Sequence, residues 1–279
     1  MIEPTTYAGE TLKIPSAVAN MPQETYFATP AISASGLKDV ARSPAHYRYG
    51  RRKESRAMDI GTAIHTAILE PERFEFEFIE LSVDDRRKKE AKDAEAEYGR
   101  ERILTATEAA NIRGMQQAVR AHSRARMQLD VEGWRELSVF AQDPETGANV
   151  RCRPDLLTGN GILLDLKKVR DARDLPMQRA VADYGYDLAA AFYCDVLAWA
   201  TGHQVSAYAL LTVEEEPPHG VRLLVLDDAW IERGRRLYRQ ALDAYAQCIE
   251  AGEWPGYADM ISVLPAPRWV EQSIEKEAA

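Results

Sequence analysis

The sequence predicts an α/β (α+β) fold, a mixed β-sheet flanked by helices with a helical N-terminal portion. Three observations carry that expectation. Apolar residues at Ile60, Ala63, Ile64, Ala67 and Ile68 recur at helical spacing in the first third of the chain. The middle changes to short strand-like runs around an Asp-Pro-Glu-Thr-Gly turn at 143–147. A mostly apolar run, Gly161–Lys167, is then followed by a long helical pattern, two more strand-like runs and a last helix. Helices, hairpin, central strand, helix, strands and helix together describe a sheet with helices packed on it.

Taken in order, residues 1–30 are polar and carry prolines at 4, 15, 22 and 30, so they read as an extended arm. Residues 31–279 read as a single domain, without internal repeat or low-complexity block. Ser43-Pro44 has the form of an N-cap followed by proline at the first helical position, and Gly50 closes that short helix. The amphipathic stretch around Ile60–Ile68 ends at Pro71. Phe74, Phe76 and Phe78 alternate with charged residues and predict a half-buried strand. Residues 84–102 hold seven acids and seven bases and suit a solvated helix or a mobile excursion. Thr105-Ala-Thr-Glu108 has capping-box form and opens a helix to about His122. Glu136–Ala141 and Ala148–Arg153 flank the turn as a hairpin. Leu188, Phe192 and Val196 at four-residue steps mark the long helix. Strands at about Ser206–Thr212 and Val221–Leu226 precede a final helix over about Asp228–Ala251.

Composition sets the outer limits. The chain has 279 residues, with 46% hydrophobic and 28% charged, as in ordinary soluble globular proteins. Lys+Arg 35 against Asp+Glu 44 leaves a net charge of −9, which opposes nucleic-acid binding by the whole surface. That charge is unevenly placed. Residues 42–56 carry six bases and one acid, whereas residues 211–279 carry 13 acids and 7 bases. Three scattered cysteines, Cys152, Cys194 and Cys248, supply neither a disulfide framework nor a Cys-based zinc site. They also fall short of the four clustered cysteines an iron–sulfur nuclease requires. No run of about 18 apolar residues and no signal-peptide pattern is present, so the expected compartment is the cytoplasm, with no membrane partner.

The chemistry concentrates in Arg151-Cys-Arg-Pro-Asp155 and Asp165-Leu-Lys167. Asp165 and Lys167 are two apart on a strand, so they share a face while Leu166 turns into the core. Asp155 lies at the end of the hairpin strand, ten residues earlier, and can come to lie beside Asp165. Two carboxylates at the ends of adjacent strands make a hard oxygen site suited to Mg²⁺. A lysine beside it can orient water or stabilise charge developing on phosphorus. Asp-x-Lys alone is commonly a surface ion pair. Gly61-Thr-Ala-Ile-His65 adds a histidine off the apolar stripe of its helix, either a satisfied helix residue or a metal ligand or phosphate contact approaching the carboxylates.

Further segments occur in the same order: Ile32-Ser-Ala-Ser-Gly-Leu37, Ser43-Pro-Ala-His-Tyr47, Gly61–Pro71, Asp143–Gly147, and a tail of Glu253-Trp-Pro255 and Leu264-Pro-Ala-Pro-Arg-Trp269. Together with the two motifs above, they resemble the nuclease domain of the RecE (exonuclease VIII) family, in the PD-(D/E)XK superfamily, over roughly residues 25–270. The resemblance implies a restriction-endonuclease-like core. It also implies Mg²⁺, with Mn²⁺ as a substitute, held by His65, Asp155, Asp165 and the Leu166 carbonyl. Lys167 would be catalytic, and Glu136 an additional acidic ligand. The activity implied is 5′-to-3′ resection of linear double-stranded DNA, leaving a 3′ strand for recombination in phage or prophage. A single-strand annealing protein is the partner implied, and a ring-shaped homo-oligomer, trimer or tetramer, the assembly. Two positions depart from the family pattern: Ala189 stands where glutamine precedes Tyr193, and Lys168 where threonine is common. An endonuclease on the same fold, or a weakened protein that binds DNA ends, are the alternatives these departures leave open. The basic stretch with Arg48, Arg51, Arg52 and Lys53, interleaved with Tyr47 and Tyr49, predicts a DNA track. Arg151, Arg153 and Tyr193 are expected to join it.

Overall fold

A computed structural model describes residues 2–9, 12–51, 55–268 and 270. Its strands divide between two main sheets. A five-stranded sheet runs in the spatial order Val221–Val225, Ala207–Glu214, Ile162–Val169, Leu156–Thr158, Gly133–Arg135. It is mixed, because the central strand Ile162–Val169 is parallel to Ala207–Glu214 and antiparallel to Leu156–Thr158. A four-stranded sheet is built on the predicted hairpin, Ser138–Gln142 with Asn149–Cys152.

The expected extended arm contributes to this second sheet. Ser16–Ala19 pairs antiparallel with the hairpin, and Gln23–Ala28 forms a helix. Val18 and Ala19 are buried there, so the apolar content of one short strand outweighs the polar, proline-marked composition around it.

The central strand separates two apolar cores, as alternation requires. Leu163, with Tyr208 and Leu210 of the neighbouring strand, faces the helices Ala34–Arg42, Tyr186–Thr201 and Asp228–Ala251. Leu164 and Leu166 face the helices Arg56–Leu69, Ala106–Ala121 and Ser123–Asp130. Ala63, Ile64, Ala67 and Ile68 are at most 1% exposed, so the stripe read from spacing is the buried face of its helix. Leu188, Phe192 and Val196 form the inner face of Tyr186–Thr201. Gly234 lets Asp228–Ala251 approach that helix, since a Cβ there would overlap the Asp187 carbonyl.

Local signals explain most boundaries. Ser43 caps Pro44–Tyr49, and Thr105 and Glu108 form the reciprocal capping box of Ala106–Ala121. The Phe74–Phe78 stretch is not a strand. Pro71 opens a helix, Pro71–Glu77, in which Phe74 is buried and stacks on Phe78 at 5.2 Å while Phe76 is 84% exposed. A four-residue aromatic pair and an N-terminal proline thus outweigh the period-two alternation. The charged excursion is an exposed helix, Lys89–Tyr98. Its ends are tied by the parallel pair Ile79–Glu80 with Ile103–Leu104, and by Arg86 donating to the Ile103 carbonyl and Glu108. The helix Asp174–Asp183 precedes the long helix and was not expected. In the tail, Trp254 packs on Tyr47 and Tyr245, and the Pro255 carbonyl accepts from the Ala45 amide.

Candidate active site

The chain crosses between the two sheets twice at one place. Arg135 ends a strand of the five-stranded sheet and Ser138 begins one of the other; Cys152 and Leu156 repeat the switch in the opposite sense. Glu136 lies in the first crossing and Asp155 in the second, and the Glu136 amide donates to the Asp155 carbonyl at 3.2 Å. Glu136 is not in the hairpin strand, where the sequence places it. Its φ of +48° is a left-handed conformation rare for a side-chain-bearing residue.

Helix Arg56–Leu69 brings His65 to this crossing. His65 Nδ1 lies 3.4 Å from Asp155 Oδ2. Ligand-type atoms of His65, Glu136 and Asp155 all lie within 4.8 Å of one another. Asp155 Oδ2 also accepts from the Leu166 amide at 2.7 Å. The amide and carbonyl of one residue leave an extended strand on the same edge, so the Leu166 carbonyl faces the same side, while its side chain is in the core. Asp165 and Lys167 occupy the opposite strand face from Leu166. Lys167 forms an ion pair with Asp165 Oδ2, and its Nζ stands 5.2 Å from the centroid of the Tyr186 ring.

The electrostatics follow from burial and proximity. Burial alone would raise the Asp155 carboxyl, but His65, Lys167 and the Leu166 amide outweigh it and hold it below the usual range. Burial raises the Asp165 carboxyl, against Lys167 and with help from Asp155. Burial opposes the charged form of Lys167, yet Asp165 and Asp155 keep its ammonium above the usual range. His65 is likewise raised by Asp155 in spite of burial. Glu136 is pushed up to about 7 by burial and then by the charge of Asp155. A divalent cation suits this donor set. Two crowded, poorly hydrated carboxylates are costly without a positive charge between them, and their oxygens are hard donors suited to a divalent cation.

The remaining predicted residues fall into distinct groups. Arg151 donates to the carbonyls of Tyr26, Phe27 and Thr29. Arg153 donates to Ser138 Oγ and the Met21 carbonyl and lies 4.3 Å from the Tyr26 ring centroid. Both guanidinium groups thus fasten the N-terminal segment to the hairpin, and Arg151 also lines the cleft that Arg51 borders. Tyr47 is likewise packed against Tyr245 and Trp254, whereas Tyr49 is exposed. Arg48 and Arg51 are exposed. Arg51 borders a cleft of about 480 Å³ that Ser33, Arg42 and His46 also line. Arg52 and Lys53 lie outside the described residues. Tyr193 is half-buried on the helix face that also carries Tyr186 and Ala189, and burial raises its hydroxyl well above the usual range. Lys168 turns to the other strand face and pairs with Glu215 at 2.6 Å. Tyr186 escaped the sequence reading, although its position two turns before Tyr193 places both on one helix face.

A family profile described as a PDDEXK-like domain of unknown function (DUF3799) matches residues 33–267. Among solved structures, a proposed exonuclease from Eubacterium rectale is similar at a TM-score of 0.60 and 13% identity, over 91% of this chain and 98% of that one. An alkaline exonuclease from Laribacter hongkongensis aligns at a TM-score of 0.32 and 13% identity, over 82% and 97%. A phage-related exonuclease from Haemophilus somnus aligns at 0.35 and 12%, over 80% and 96%. At these identities the first likeness shows shared fold alone, and the other two are too distant to carry an argument. No curated protein matches the sequence.

Proposed function

We propose that this chain, which belongs to the PDDEXK-like domain family (DUF3799), is a divalent-metal-dependent deoxyribonuclease that resects linear duplex DNA from its ends. The observation that carries the reading is the meeting of His65, Glu136 and Asp155 beside the Asp165–Lys167 pair. The nuclease-type fold of the family supports the same reaction class.

In this reading His65, Glu136 and Asp155 hold the cation, with Asp165 and the Leu166 carbonyl as adjoining donors. Bound there, Mg²⁺ or Mn²⁺ supplies Lewis-acid polarisation of a phosphoryl oxygen and a more acidic water. Asp155 is kept ionised by His65, Lys167 and the Leu166 amide, so it is ready to bind without first losing a proton. Lys167 stays protonated and places positive charge where negative charge builds on the phosphodiester. Asp165 holds Lys167 in place through their ion pair. DNA would lie along the exposed Arg48 and Arg51.

The finer expectations belong to the same proposal: 5′-to-3′ polarity, a 3′ single-stranded product passed to an annealing protein, a role in recombination, and a ring of copies. A non-cutting DNA-end-binding protein is the second reading, and Ala189 favours it because alanine brings no hydrogen-bonding group to the helix face between Tyr186 and Tyr193. Digestion of linear duplex labelled at either the 5′ or 3′ end of each strand, with covalently closed circles as control, separates the readings. The nuclease reading expects Mg²⁺-dependent shortening of 5′-ended strands and intact circles. Cut circles would indicate an endonuclease, and uncut linear DNA in Mg²⁺ and Mn²⁺ would favour the binding protein.

A further inference from the structure

One lysine beside the site has no part in the chemistry above. Lys38 lies on helix Ala34–Arg42 and is half-buried. Its hydrocarbon stem runs along Gly185, where a Cβ would sit 3.2 Å from Lys38 Cε and 3.6 Å from Cδ. Gly185 has a φ of +60° and opens helix Tyr186–Thr201, so the backbone at this junction is shaped to admit the stem. The Lys38 ammonium is 5.8 Å from the Tyr186 ring centroid, the same ring that flanks Lys167.

Among the described residues, no acidic side chain is hydrogen-bonded to or ion-paired with that ammonium. Asp165 and Asp187 act on it only at a distance, and Asp165 Oδ2 and Asp187 Oδ2 are taken by Lys167 and Arg233 respectively. Burial, and then the charge of Lys167, bring the Lys38 ammonium down to about 8. A half-buried cation beside a second cation is unfavourable unless an anion joins them. Lys38 and Arg42 are four apart and share a helix face. Arg42, in the last turn of the same helix, lines one cleft with the exposed Arg51.

We propose that Lys38, beside the Tyr186 ring, forms a phosphate subsite that takes a backbone phosphate of the DNA strand next to the one being cut, the scissile phosphate being left to Lys167. The inference rests on the nuclease reading for its substrate, and it assigns Lys38 to substrate binding, not to bond cleavage. The competing role is packing alone, in which the stem covers Gly185 and the ammonium is incidental.

Lys38→Met keeps the stem and removes the charge, and Lys38→Gln serves as a second neutral variant should the first fold poorly. Thermal unfolding of each checks the fold. Two measurements read the subsite: KM and kcat for digestion of an end-labelled linear duplex in Mg²⁺, and the Kd of the same duplex in Ca²⁺ at several salt concentrations. The proposal expects KM and Kd to rise about tenfold, kcat to change little, and the salt slope of log Kd to fall by about 1. Unchanged KM, Kd and salt slope would overturn it. So would a neutral variant that loses thermal stability while its affinity for DNA is kept. A native protein that binds duplex without cutting it would sink the nuclease reading, while the Ca²⁺ comparison would still decide the role of Lys38.

Discussion

Glu136→Gln should stabilise the cation-free protein at alkaline pH and weaken its response to divalent ions. The Glu136 carboxyl is moved from its ordinary 4.5 to about 7, by burial first and by Asp155 second. At about 1.4 kcal/mol for each tenfold change in proton affinity, ionising it costs the fold about 3 kcal/mol. The folded value lies above the unfolded one, so the folded chain binds this proton more tightly and stability falls as pH rises. The cost is absent below the unfolded value, about 1 kcal/mol at pH 5, and complete above about pH 7. Glutamine fits the same backbone without the charge. Urea unfolding in chelator should therefore favour the variant by about 3 kcal/mol at pH 8 and about 1 kcal/mol at pH 5. Added Mg²⁺ should raise the stability of the native chain more than that of the variant, because the cation binds the folded state and offsets the repulsion. A difference that does not vary with pH, or a variant less stable at pH 8, would show that burial and Asp155 do not raise the Glu136 carboxyl.

Other substitutions separate chemistry from support. Lys167→Met should lower kcat by about 10²–10³ with duplex binding largely kept, measured by single-turnover digestion. Arg153→Met removes donors to Ser138 and the Met21 carbonyl and should cost about 1–3 kcal/mol of stability while leaving the salt slope of DNA binding unchanged. A slope reduced by about 1 would return Arg153 to the DNA surface. Asp143 is 1% exposed and accepts from Arg239 at 2.5 and 2.8 Å and from the Thr146 amide at 2.9 Å. Asp143→Ala should therefore destabilise by about 3–5 kcal/mol in denaturant unfolding, with the specific activity of the remaining folded protein intact.

Some of this arrangement is legible in the sequence because it depends on local spacing. Asp165 and Lys167 share a face because strands alternate, and the Ala63, Ile64, Ala67 and Ile68 stripe is buried because helices repeat near 3.6. The Thr105–Glu108 cap and the Asp143–Gly147 turn are equally local. What could not be read is where strands change sheets. Glu136 and Asp155 meet because two strand pairs cross between sheets side by side, and no single-strand pattern encodes that crossing. The hydrogen bonds of Arg151 and Arg153 were hidden for a related reason: their acceptors, the carbonyls of Met21, Tyr26, Phe27 and Thr29, lie more than 120 residues earlier in the chain. Lys38 was hidden because its role depends on Gly185 and Tyr186, some 150 residues further along the chain.

The most direct test compares native protein with Asp155→Asn on end-labelled linear duplex in Mg²⁺. Asparagine can still accept from the Leu166 amide, so the fold should persist, but the charge that joins His65 to the proposed metal site is gone. Loss of digestion in the variant, with its fold retained and duplex binding still measurable, is the expected result. Digestion at the native rate would mean that the crossing of the two sheets is not where the DNA is cut.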